Sequence, residues 1–128
     1  MGRFSDVLMD HFTWPRNTGE IQSPDCIGIG GTAGQGPVIV LTLRVRDNLV
    51  VEAKCKASGC GVTVAAGSIL TELILNRRID ECRCITAEQL TEALGGVPPD
   101  KLHSPILAVT ALRKCCEKLT GSFASGWR

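Results

Sequence analysis

No run of about 18 apolar residues occurs in the 128-residue chain, so the sequence offers no membrane span. Its opening, Met1-Gly2-Arg3-Phe4-Ser5-Asp6, has no apolar signal core and passes into an amphipathic stretch with acidic residues, which predicts a cytoplasmic protein. An excess of either charge is missing as well: fourteen Lys+Arg against thirteen Asp+Glu leave +1. The densest basic cluster is Arg44, Arg46, Lys54 and Lys56, short of the stripe that marks a nucleic-acid-binding domain, so no nucleic acid is expected as partner. Repeats and low-complexity segments are absent. What is present, 44% hydrophobic and 21% charged residues, excludes wholesale disorder. The length fits one domain over residues 1–128.

Cysteine is abundant, at 26, 55, 60, 82, 84, 115 and 116. In a reducing compartment an odd set of seven reads as thiols or ligands rather than as a disulfide framework. The elements around them are legible from periodicity. Ser5 caps a short helix to about His11, with Val7, Leu8 and Phe12 facing inward. The glycine-rich segment 24–36 holds an irregular edge strand. Residues 38–46 alternate with Ile39, Leu41, Leu43 and Val45 inside. Asp47-Asn48 makes a two-residue turn, and 49–58 returns with Val51, Ala53, Cys55 and Ala57 inside. A helix from Gly61 to about Asn76 follows, then a short turn near 79–83. Thr86-Ala87-Glu88-Gln89 opens another helix with a capping box, closed at Gly95-Gly96. Val97 to Lys101 reads as an extended linker into a last helix that ends near Leu119, leaving 120–128 as a loose tail. The pattern predicts an α+β fold, a small three-stranded antiparallel sheet covered on one face by helices.

Among the cysteines, Cys60 stands out. Between two glycines at a helix start, backbone N–H groups and the helix dipole favour its thiolate. A small buried thiol at a strand–helix junction is the competing reading. Cys55, Cys115 and Cys116 fall on inward faces as core filler. Cys82-Arg83-Cys84 could chelate a soft metal, but the helix between it and Cys60 spans about 22 Å. His11 is left structural, and His103 matters only if the fold brings it to Cys60. The glycines of 28–36 are no phosphate loop, since no Gly-Lys-Ser/Thr follows. They suit a backbone that must come close to something.

Taken in order, Phe4-Ser5-Asp6 with Asp10-His11-Phe12, Pro15-Arg16-Asn17-Thr18-Gly19, Ser58-Gly59-Cys60-Gly61, and Leu94-Gly95-Gly96-Val97-Pro98-Pro99-Asp100-Lys101-Leu102-His103 resemble the motifs of the iron–sulfur cluster assembly scaffold family, the IscU and NifU N-terminal type. The resemblance covers a core of about residues 4–119. It implies a part in iron–sulfur cluster assembly, a non-enzymatic protein, and a [2Fe–2S] cluster, iron or zinc held by three cysteines with an aspartate or histidine. It also implies a cysteine desulfurase as partner. An Hsp70-type chaperone is implied as well, recognising the segment Val97, Pro98, Pro99 and Lys101, where Asp100 replaces the family valine.

The same resemblance places the second family cysteine at Cys60 and the histidine at His103. The first cysteine falls on Gln35, the aspartate on Pro37 and the third cysteine on Ser104. Glutamine and serine are poor donors for iron in a sulfide cluster. Ser104 and Pro105 also suit a helix start, as N-cap and first-turn residue. The expected site is therefore degenerate, with Cys60 and His103 as the surviving metal ligands and Cys26 as a substitute candidate. Two further uses of the chain follow from the resemblance. Cys60 could accept persulfide sulfur, or the protein could bind and regulate the assembly machinery without a cluster. Gln35, Cys60, His103 and Ser104 are expected to converge at one end of the domain.

Overall fold

The computed structural model describes residues 4–127, with side chains through Leu119. The chain runs α1 (Asp6–Thr13), β1 (Cys26–Gly30), β2 (Val38–Arg46), β3 (Leu49–Ser58), α2 (Gly61–Ile74), α3 (Ile79–Cys82), α4 (Ala87–Ala93), a 3-10 turn (Pro99–Lys101) and α5 (His103–Trp127). The strands form one antiparallel sheet in the order β1-β2-β3. Helices α2 and α5 pack on its inner face, where Ile39, Leu41 and Leu43 are fully buried. Among the described residues no helix is long and apolar enough to cross a membrane.

The β2–β3 hairpin turns at Asp47 and Asn48, both at positive φ, as a tight two-residue turn requires. Next to it the register steps from Arg44↔Glu52 to Val45↔Val50. Val51 is the extra residue of a bulge, so strict alternation misplaces it. Val50 is buried inside and Val51 is exposed. The outer edge of β3 is covered. Its middle is paired by Asn17 to Gly19 through Cys55, and its start by Asn76 to Ile79. The segment Pro15 to Gly19 thus closes a strand edge that would otherwise present unpaired backbone.

At the other edge, the inward positions of β1 are Cys26, Gly28 and Gly30. A Cβ on Gly28 would lie 2.0 Å from the Ala111 carbonyl oxygen, and one on Gly30 2.1 Å from that of Leu107. What these glycines approach is the backbone of α5.

Three local readings are corrected. On α1, Leu8 and His11 are buried, whereas Val7 and Phe12 are exposed, because the helix turns its Leu8–His11 side to α2. The linker is not extended throughout: Pro99, with φ already near the 3-10 value, starts a tight turn closed by Lys101 N–H to the Pro98 carbonyl at 2.8 Å. Finally, α5 continues past Leu119 to Trp127, a stretch without proline to stop it. The capping box at Thr86 and Gln89 forms as read. Helix α4 ends with Gly96 N–H bonded to Thr91 and Gly95 N–H to Glu92, a Schellman arrangement.

Candidate functional site

β3 ends at Ser58, and Gly59 turns the chain at a φ of +140°. A side chain there would press on Pro37 Cβ at 3.0 Å and on Thr63 Oγ1 at 3.1 Å. The strand–helix turn is therefore in close contact with the end of the glycine-rich loop. Cys60 follows as the N-cap of α2 in extended backbone. Gly61 leaves space for the Phe12 ring, whose nearest atom would meet a Cβ at 2.6 Å.

Cys60 Sγ lies 3.7 Å from Thr63 Oγ1, and Thr63 Oγ1 lies 2.9 Å from Ser104 Oγ. Thr63 and Ser104 are completely buried. A chain of polar groups therefore joins the start of α2 to the first turn of α5. Ser104 does not cap α5. That helix begins one residue earlier, and the hydroxyl is directed across to Thr63. Thr63 is the residue that sequence reasoning missed. Its position one turn beyond Cys60 on the same helix face was the available signal.

Partial burial of Cys60 opposes its charged form. The Thr63 amide and hydroxyl, the Val62 amide and the Lys101 charge outweigh it, and the thiol sits below its ordinary value of 9.0. The sulfur makes no capping hydrogen bond of ordinary geometry, so this is the pull of nearby dipoles and charge.

Neither of the other expected site residues, His103 and Gln35, has a hydrogen bond to Cys60 among the described residues. His103 is exposed at the first position of α5, and its ring has no hydrogen bond or ion pair among the described residues. Gln35 is exposed in a turn closed by its own N–H to the Thr32 carbonyl at 3.0 Å. Pro37 touches the Cys60 turn but has no side-chain donor atom. Cys26 cannot substitute as a ligand beside Cys60. It pairs in register with Leu43, whereas the Cys60 end of the sheet is at Val38↔Ser58, about 17 Å along β2. Its thiol instead interacts with that of Cys115, which with burial raises the Cys115 thiol, and Cys115 Sγ donates to the Leu41 carbonyl at 3.4 Å.

Cys82 and Cys84 do not form a chelating pair. Cys82 is buried against the Ile74 carbonyl, and Cys84 is exposed beside that of Asp80. Burial raises Cys55 and Cys116 to about 12 and Cys82 to about 11. No disulfide forms among the seven cysteines. Among the described residues no three His, Cys, Asp or Glu side chains gather where one metal ion could sit.

The NifU-like N terminal domain family matches residues 3–123. The chain belongs to this family. Two iron-sulfur cluster assembly scaffold proteins of Archaeoglobus fulgidus, IscU 1 and IscU 2, are each 37% identical to it over 111 residues, 87% of this chain and 72% of the relative. The iron-sulfur cluster assembly scaffold protein IscU of Haemophilus influenzae is 36% identical over 114 residues, 86% of this chain and 90% of that one. In fold, the crystal structure of a nitrogen-fixing NifU-like protein (N-terminal) from Brucella abortus superposes with a TM-score of 0.75 at 15% identity, covering 91% of this chain and 94% of that one. The α+β architecture with a three-stranded antiparallel sheet is thus that of NifU-like N-terminal domains.

Proposed function

We propose that this chain works in iron–sulfur cluster assembly, as a scaffold-family protein whose own metal site is incomplete and whose working group is the Cys60 thiol. Family membership supports the process. One observation supports the molecular reading: Cys60 is a partly exposed thiol with lowered pKa, at a turn that meets Pro37 and is linked through Thr63 to Ser104, neither of which offers a thiolate.

A [2Fe–2S] cluster, iron or zinc would be cargo, and the donors here fall short of it. Zinc takes four donors, mostly Cys and His. Cys60 and His103 are two, the Ser104 hydroxyl is engaged with Thr63, and Gln35 offers a neutral amide better suited to harder ions. Accepting sulfur asks less: one accessible thiolate and a docking surface. In that step the Cys60 thiolate attacks the outer sulfur of a desulfurase persulfide. A new S–S bond forms at Cys60, the old one breaks, and the desulfurase cysteine leaves as thiolate. Lys101 stabilises the attacking Cys60 thiolate. A cysteine desulfurase is the partner this requires, in a reducing compartment such as the cytoplasm. An Hsp70-type chaperone acting on Val97 to Lys101 would have to open the 3-10 turn and draw out Pro98, which is buried.

The test is mass spectrometry of the protein after incubation with a cysteine desulfurase and cysteine. Cys60 gains the mass of one sulfur atom, Cys60→Ser does not, and Cys84→Ser behaves as wild type. Equal sulfur loading of Cys60→Ser would overturn the reading. Anaerobic reconstitution with iron and sulfide is expected to leave the isolated protein without a stable visible cluster spectrum.

A further inference from the structure

Helix α4 and the start of α5 leave an open groove of about 720 Å³ between them. One wall carries the small residues Ala87, Thr91 and Gly95, spaced four apart along α4 and its end. The other carries Leu102 and Ile106, also four apart, which are 42% and 54% exposed. Ala87 and Thr91 share a face of α4, and Gly95, Leu102 and Ile106 line the same groove, which is mostly apolar. Leu90 and Leu94 have already placed the opposite side of α4 in the core, so the groove is not needed to hold the helix down.

Glu88 and Glu92 stand on the rim, again four apart. Neither carboxylate has a hydrogen bond or ion pair among the described residues, and no Lys or Arg lines the groove. An apolar trough flanked by one sign of unpaired charge favours an occupant that is apolar at its centre and basic at its edges. The groove runs between helices rather than along a free strand edge, which suits a helix rather than an added strand. Its α4 wall, seven residues long, spans about 10 Å, enough for two anchors on successive turns. A second copy docked by two-fold symmetry is disfavoured, since it would bring its own Glu88 and Glu92 to the same patch.

We propose that this groove docks a short amphipathic helix of a partner protein, with two apolar anchors against Leu102 and Ile106 and Lys or Arg residues meeting Glu88 and Glu92. Leu102 lies next to Lys101, whose charge bears on Cys60. Cys60 does not line the groove, so a helix seated here need not cover the thiol. The inference stands apart from the sulfur-acceptor reading and does not depend on it.

The probe is a fluorescent synthetic helical peptide with two leucines four residues apart and flanking lysines, titrated into the full chain at low salt. A matched peptide with flanking glutamates is the control. The lysine peptide is expected to bind about tenfold more tightly than the glutamate peptide. The double variant Glu88→Lys, Glu92→Lys reverses that preference, a gain that unfolding cannot imitate. Ile106→Asn, at an exposed position, weakens both peptides about tenfold with the helical circular dichroism unchanged. The proposal fails if the lysine peptide does not saturate, or if its binding ignores both variants or the sign of the flanking charge. It also fails if sedimentation reveals a self-associated chain that Ile106→Asn returns to monomer, which would make a second copy the occupant.

Discussion

His11 sits on α1 with its side chain 5% exposed, Nδ1 2.7 Å from Ser68 Oγ and Nε2 3.5 Å from a Glu72 carboxylate oxygen. Ser68 Oγ also accepts the Arg16 N–H at 2.9 Å. The neutral ring fits this setting, with Nδ1 accepting from the hydroxyl and Nε2–H facing the carboxylate. Burial, then the Arg16 charge, holds the imidazole below its ordinary 6.5, against the opposing pull of Glu72 and Asp10. A base with a depressed folded pKa binds fewer protons folded than unfolded, so its contribution is complete above 6.5 and is lost as pH falls through the folded value. The urea midpoint is therefore expected to drop between pH of about 7.5 and 5.5. His11→Asn should cost about 1–3 kcal/mol at the upper pH and flatten that drop. A midpoint whose pH dependence is the same in wild type and variant would remove His11 as the cause. The sequence alone marked His11 as a polar residue without a partner, because Ser68 and Glu72 are more than fifty positions away.

At the scale of elements, the contact between β1 and α5 is the one most exposed to a single atom. Gly28 faces the α5 backbone, which cannot move aside as the end of a flexible side chain can. Gly28→Ala is expected to push strand and helix apart and to lower unfolding free energy by about 1–3 kcal/mol. Faster amide exchange in β1 than in β3 should accompany it. Wild-type stability in this variant would mean that β1 does not pack on α5. Here the sequence was half informative. Glycine in an alternating segment signalled a close approach, but the object approached, Ala111 and Leu107, lies some eighty residues further on. The β3 bulge is a similar case: alternation over 51, 53, 55 and 57 runs straight through it, and only the cross-strand register shows Val50 inside.

For the molecule as a whole, the measurable question is what separates this chain from a complete metal site. The turn at Cys60 touches Pro37 and reaches Ser104 through Thr63, so two of the three junctions that would carry thiolates are linked, and Gln35 is two residues from the contact at Pro37. Gln35→Cys combined with Ser104→Cys is expected to raise zinc affinity by about an order of magnitude or more, with His103 or solvent as the remaining donor. Competition with a chromophoric chelator at fixed pH reads this directly. Equal weak binding by wild type and double variant would show that the Gln35 turn stays away from Cys60. Tight stoichiometric zinc in the wild type, lost in Cys60→Ala, would show that the site is not degenerate at all.

Periodicity, turn chemistry and caps are short-range properties, and from them the sequence by itself determined the α+β class, the tight hairpin, the capping box of α4 and the place of Cys60 at a helix start. Its motifs, in order, determined the family. Tertiary structure decided what depends on groups distant in the chain. It buried Cys26 against Cys115, turned Ser104 from a presumed cap toward Thr63, and left His103 exposed. It also set Leu102 and Ile106 opposite a stripe of small residues on α4. The physical reason is the same in each case: a side chain's protonation, partner and exposure are fixed by what packs against it, and packing joins residues that no local pattern relates.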